Sequence, residues 1–171
     1  MDKLNGISRK EKFRLRFYNN DPSFIRLEKK SKMNGLCWKE KVSVNKEQCE
    51  KLLQGDIDWM FVANEVLLQE LYAKMKHQLL RPKTVVDYTR EAYIYQPGNV
   101  RITFDRHLQS GLFSRDFLNP DLPTMAMTPN SMIIFEVKFD EFLPELIQDI
   151  IQTNERRSSS ISKYAACRML G

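Results

Sequence analysis

Residues 12–19 read KFRLRFYN, and this strict alternation constrains the fold more than any other feature of the chain. Phe13, Leu15 and Phe17 fall on one side, Lys12, Arg14, Arg16 and Tyr18 on the other. A period of two belongs to a β-strand with two unlike faces, because successive side chains leave the pleat in opposite directions. The cluster Asn19-Asn20-Asp21-Pro22 predicts a turn. A second strand follows over 23–31, where Ile25 and Leu27 oppose Arg26, Glu28 and Lys30. Asn34-Gly35 is a strong hairpin signal. It leads into a third strand over 36–44, with Leu36, Trp38, Val42 and Val44 on one side and Lys39 and Lys41 on the other.

The period then changes. Asn45 is placed to cap a helix over 46–54, with Gln48 completing a capping box and Gly55 ending it. A second helix over 65–80 carries Leu67, Leu68, Leu71, Met75 and Leu79 at helical spacing, and Pro82 closes it. Strands return over 83–95 and 100–106, joined by a turn at Pro97-Gly98-Asn99. Residues 107–130 read as a long loop, and 132–139 as a last strand with Ile133, Phe135, Val137 and Phe139 opposite Glu136 and Lys138. Two helices, 141–153 and 160–169, are expected on either side of the polar stretch Arg156–Ser159. Hairpins followed by segregated helices make an α+β fold. With 171 residues and no internal repeat, a single domain over 1–171 is expected.

Lys and Arg number 27 against 22 Asp and Glu, a modest excess that only mildly favours an anionic partner. The three cysteines, Cys37, Cys49 and Cys167, form no CxxC pair and no disulfide framework, which fits a reducing cytoplasm. His77 and His107 have no partner at zinc-ligand spacing and read as structural or surface residues. No apolar run reaches the roughly 20 residues of a membrane span, and the start of the chain lacks the apolar stretch of a signal peptide. A cytoplasmic protein is expected, meeting a membrane only through a partner protein.

The position of the charge says more than its sum. Arg14, Arg16, Arg26, Lys30, Lys39, Lys41, Arg90, Arg101 and Lys138 recur at every second residue within strands, beside a few carboxylates, Glu28, Asp105 and Glu136. For one strand the plain explanation is a solvated outer face. Across many strands that explanation weakens, because like charges opposed on neighbouring strands destabilise a sheet. Closing the sheet into a barrel with this face inside would concentrate its field in a narrow lumen, where an anionic ligand would relieve it. Phe13, Leu15, Ile25, Leu27, Trp38, Phe135 and Val137 would then pack outside, under the helices. Arg offers a planar fork to phosphate oxygens and Lys a compact charge. Phosphoryl transfer among polyanions usually needs a divalent cation, held by one or two carboxylates and the phosphates. Glu136 and Glu28 are the candidates for that contact, with a lumen salt bridge as the plain alternative for each. There is no P-loop and no GxGxxG after a strand.

The ordered runs FRLRFYN, FIRLEKKSK, WKEKVSV, RPKTVVDYTREAY, NVRITFD, IIFEVKFDEFLP and SISKYAACR resemble the catalytic domain of the vacuolar transporter chaperone complex and its bacterial relatives. Those are polyphosphate polymerases of the triphosphate tunnel metalloenzyme superfamily, antiparallel barrels with helices packed outside. The resemblance covers nearly the whole chain. It implies that Arg14 and Arg16 are paired arginines binding nucleotide or polymer phosphates, and that Lys30 and Lys39 line the lumen. It implies a phosphate contact for Arg90, a tunnel strand for Arg101, manganese or magnesium at Glu136, and a lysine reaching the phosphate site at Lys163. Lys163 and Arg90 are thereby the expected catalytic residues. The implied reaction moves the terminal phosphate of ATP onto polyphosphate and releases ADP.

The chain departs from the family at its beginning, where members carry an earlier strand with an ExK-like pattern. A tunnel incomplete at its N-terminus, or completed by a second chain, is therefore the expectation. Three rivals stand beside the polymerase: a triphosphate hydrolase of the same superfamily, a non-catalytic polyphosphate-binding module, and a single-stranded nucleic-acid binder. The last is disfavoured because the aromatic residues alternate with charged ones as the backing of a sheet, so no specific nucleic acid is expected.

Overall fold

In the computed structural model the described residues are 10–152 and 161–168. The segment matching Leu4 to Arg9, the polar stretch Arg156–Ser159 and the outer ends of the last two expected helices lie outside them. The chain divides into two compact units, Met1–Pro82 and Lys83–Gly171.

The first unit is a meander of β1 (Lys10–Tyr18), β2 (Asp21–Met33) and β3 (Leu36–Val44), all antiparallel. Both hairpins close on two residues with positive φ, Asn19 and Asn20 in the first, Asn34 and Gly35 in the second. Such turns match the right-handed twist of the strands they join. Helix α1 (Lys46–Gln54) has the expected capping box between Asn45 and Gln48, and Gly55 ends it in the left-handed region at φ 91°. A 3-10 turn at Asp58–Met60 precedes α2 (Val66–His77), which stops short of Pro82 because Gln78 already leaves helical geometry. Ile25, Leu27 and Val44 from the sheet are buried, as are Leu52, Leu67, Leu68, Leu71 and Met75 from the helices. Trp38, expected to be covered, remains exposed, as does Leu36 on the same side of β3.

An ionic lock runs through the covered face. Lys29, 6% exposed, lies 2.6 Å from Glu70 on α2 and 3.3 Å from Glu40 on β3. Lys74 on α2 reaches Glu11 on β1 at 2.7 Å. Burial would lower the Lys29 pKa, but hydrogen bonds to Glu70 and Glu40 outweigh it and hold the ammonium more basic than usual.

The second unit is also antiparallel. It contains β4 (Val86–Tyr95), β5 (Val100–Ser110), the two-residue β6 (Met125–Ala126) and β7 (Ile134–Lys138), with β5 pairing all three others. The turn between β4 and β5 needs its glycine: Gly98 has φ 71°, and a Cβ there would lie 2.5 Å from the Phe142 carbonyl oxygen. Opposite Tyr88 the register shifts, as Asp87 pairs Gln109 while Thr89 pairs Arg106. His107, at φ 50°, takes up the extra residue. The strand therefore runs on to Ser110, where a loop was expected.

Two helices follow, α3 (Glu145–Ile151) and α4 (Lys163–Arg168). Helix α4 packs Cys167 and Ala166 against Leu108, Ile134 and Tyr88. Ile134 is the cross-strand neighbour of Asp105, so α4 sits on the charged side of this sheet, not on its apolar back. The fold is α+β with antiparallel sheets; among the described residues neither sheet closes into a barrel. No described helix is long and apolar enough to cross a membrane, and all three cysteines are free thiols.

Candidate functional site

Directly opposed residues of an antiparallel pair share a face, so register sorts the polar side chains. On the first sheet Lys12, Lys30 and Lys39 form one row, Arg14, Glu28 and Lys41 the next, and Arg16, Arg26 and Ser43 a third. The residues read from the sequence as phosphate ligands in this unit, Arg14, Arg16, Arg26, Lys30, Lys39 and Lys41, thus lie on one face. Lys30 has a lysine on either side, and Arg16 opposes Arg26. Glu28 is the one carboxylate among these rows.

Its side chain is fully committed. Glu28, 3% exposed, accepts from Arg14 Nε at 2.6 Å on Oε2, with Arg14 Nη2 2.5 Å from the same oxygen, while Lys39 Nζ lies 2.9 Å from Oε1. Burial pushes the carboxyl up, but the Lys39 and Arg14 hydrogen bonds win and hold it below its usual range. Lys30, Lys41 and Arg26 make no ion pair with a described residue; the Arg26 guanidinium stacks on the Phe24 ring at 4.6 Å. Among the described residues this face carries more cations than carboxylates.

The second sheet repeats the device with different parts. Register places Arg90 beside Asp105, Glu136 beside Thr103, and Lys138 beside Arg101, all on one face. Asp105, 2% exposed, accepts from Arg90 Nε at 2.6 Å on Oδ1 and from Arg90 Nη2 at 2.7 Å on Oδ2. Lys163, delivered by α4, lies 2.6 Å from Oδ2. The Tyr88 ring faces both cations, 5.2 Å from the Arg90 Cζ and 5.3 Å from the Lys163 Nζ. Burial raises the Asp105 carboxyl, yet Arg90 and Lys163 together hold it below the ordinary aspartate value. The hydrogen bond to Asp105 in turn raises the Arg90 pKa.

Arg90, Arg101, Lys138, Glu136 and Lys163 are therefore brought to one face of this unit. Asp105, which joins two of them, was noted in the sequence as one of the few acidic residues and given no role. Its place at the second residue after Thr103 on a charged strand face was legible. Its grip on Lys163 was not, because that contact spans 58 residues of chain and depends on where α4 lands.

The two nominated metal carboxylates differ. Glu28 has both oxygens taken by cations, and a metal there would have to displace Arg14 or Lys39. Glu136 is partly exposed and, among the described residues, makes one ion pair, to Lys138 at 3.2 Å. Among the described residues no group of three or more His, Cys, Asp or Glu is arranged to hold a metal. A single open carboxylate still fits a magnesium-like ion, which keeps waters and takes its other ligands from phosphate oxygens.

Fold and site together define an α+β protein of antiparallel sheets, each with a basic face organised around one buried carboxylate. A family model described as the VTC domain matches residues 1–170, and the chain belongs to that family. The family is one of polyphosphate-related function. No curated protein and no solved structure matches the chain.

Proposed function

We propose that the chain is a polyphosphate polymerase domain, transferring the terminal phosphate of ATP onto the end of a polyphosphate chain. What carries this reading, beside the family, is the excess of cations on both sheet faces: a sheet that opposes Lys30 to two lysines gains when an anion joins it. In the transfer, a terminal oxygen of the polymer attacks the γ-phosphorus, the bond from that phosphorus to the β–γ bridging oxygen breaks, and ADP leaves. Little covalent work falls to the protein, so positioning and charge neutralisation carry the rate. Arg90 and Lys163 are assigned to the transferred phosphate, and Arg14, Arg16, Arg26, Lys30, Lys39, Lys41, Arg101 and Lys138 to the flanking ones. Glu136 is assigned to Mn²⁺ or Mg²⁺, which when bound would offset charge on the phosphate oxygens. The closed barrel, a cytoplasmic location and membrane contact through a partner protein belong to the same proposal.

The test is incubation with ATP and Mn²⁺, scoring ADP and polyphosphate together, with Glu136→Ala and Lys163→Ala alongside. Polymer that forms with the parent and vanishes in both variants supports the polymerase. ADP released with inorganic phosphate and without polymer would assign the chain to triphosphate hydrolysis. Polyphosphate binding with no turnover would assign it to a binding module.

A further inference from the structure

The two buried carboxylates hold the same set of partners, though Arg14 meets one oxygen of Glu28 while Arg90 spans both oxygens of Asp105. In each unit an arginine presents its Nε and Nη2 edge to the carboxylate, Arg14 to Glu28 and Arg90 to Asp105, and a lysine approaches the same carboxylate from another element. Neither Nη1 donates a hydrogen bond to a described residue. Lys39 and Lys163 each have N–H groups beyond the one their carboxylate occupies. The carboxylate thus consumes one edge of the guanidinium fork and orients the rest. Long cationic side chains lose rotamer freedom on binding an anion, and fixing them beforehand removes that cost from the binding step.

We propose that Asp105 and Glu28 are positioning residues, each holding an arginine and a lysine as a preassembled pair whose remaining donors meet a phosphoryl group of a linear phosphoanhydride chain. This rests on the phosphate-handling reading above. It gives Glu28 a role other than metal contact, and it gives Asp105 a role for the first time. Each carboxylate lowers the charge of an anion-binding face yet raises its affinity, because the geometry it imposes outweighs the charge it removes.

The experiment is calorimetric titration of the full chain with inorganic tripolyphosphate, comparing the parent with Asp105→Asn and Glu28→Gln, with thermal unfolding of each. Both substitutions keep the shape and remove a negative charge, so simple charge counting predicts tighter binding. Positioning predicts the opposite sign, weaker by about tenfold, the lower end of the loss seen when the partner that orients a metal-ligating side chain is removed. In a Lys163→Met background the Asp105→Asn loss should shrink, since part of what the carboxylate positions is then gone. Either variant, folded and binding as tightly as the parent or more so, overturns the proposal. Should Asp105→Asn fail to fold, Glu28→Gln carries the test; failure of both to fold would assign the carboxylates to stability alone and overturn it. A parent chain that does not bind tripolyphosphate removes the phosphate reading itself, before any variant is compared.

Discussion

Glu28 and Lys29 are neighbours in β2, both buried, and each is the charge inverse of its surroundings. Glu28 is a lone carboxylate held between Arg14 and Lys39 on the basic face. Lys29 is an ammonium held among Glu70, Glu40 and Glu11 on the face beneath α2. The pleat sends them to opposite sides of the same sheet, so one strand serves a binding face and a structural face with adjacent residues.

Lys29→Ala should destabilise the first unit by about 2–4 kcal/mol, somewhat under the full range for breaking a buried pair because Glu40 and Glu70 keep access to water. Urea denaturation measures it. The Lys29 pKa is raised in the folded chain. Its contribution is therefore complete below the unfolded lysine value of about 10.4 and is lost as pH rises through the folded value. In Lys29→Met the alkaline loss of stability should be smaller than in the parent.

Acid acts on the other pair. Glu28 and Asp105 titrate below their ordinary values when folded, and near about 4.3 and 3.9 when unfolded. Their stabilisation is complete above those unfolded values and disappears as pH falls through the folded ones. Thermal midpoints followed from pH 6 to pH 2 (about the range over which carboxylates titrate) should drop most steeply below about 4. Asp105→Asn should flatten that drop.

Lys30→Gln and Lys41→Gln should separate binding from stability. Neither lysine has an ion-pair partner among the described residues, and Lys30 opposes Lys12 and Lys39. At Lys30, removing one like charge should leave stability unchanged or raise it by about 0.5 kcal/mol; Lys41 lies opposite Glu28 without an ion pair to it, so its removal should change stability by no more than about 0.5 kcal/mol. The same change should weaken tripolyphosphate binding and flatten its dependence on salt. Stability lost in step with affinity would count against a face built for an anion.

Asn45→Ala should cost about 1 kcal/mol, since the side chain accepts from the Gln48 N–H at 2.8 Å and the Gln48 side chain returns a bond to the Asn45 N–H at 3.0 Å. Asn45→Ser should recover most of it. The effect should appear in denaturation and leave tripolyphosphate affinity alone.

Local signals carried a large share of this fold. Period-two alternation placed β1, β2, β3 and β7, and Asn45 with Gly55 set both ends of α1, because those rules act within a few residues. The reading failed where long-range packing decides. Beyond Arg106 the alternation breaks, which predicts an end to β5 there; the bulge at His107 lets it continue to Ser110. Helices were expected over the apolar outer faces, with Lys163 alone reaching the phosphate site; Leu108 and Ile134 put an apolar patch beside Asp105 and dock the whole of α4 on the charged side. For the candidate site, the rows of cations were legible strand by strand. The alternation also put Lys29 on the face of Ile25 and Leu27, but the carboxylate that receives it there was not legible, because Glu70 comes from a helix 41 residues away.

The opposed charges of Glu28 and Lys29 also guard how β2 is paired. A slip of one residue against β1 or β3 would turn every side chain of β2 over. Glu28 would then face the carboxylates of Glu11, Glu40 and Glu70, and Lys29 would join a face already crowded with lysines and arginines. Each would exchange attraction for repulsion in the same step, besides exposing Ile25 and Leu27. A mispaired hairpin is thus penalised electrostatically as well as hydrophobically, and the correct strand alignment is selected during folding by two residues that sit side by side.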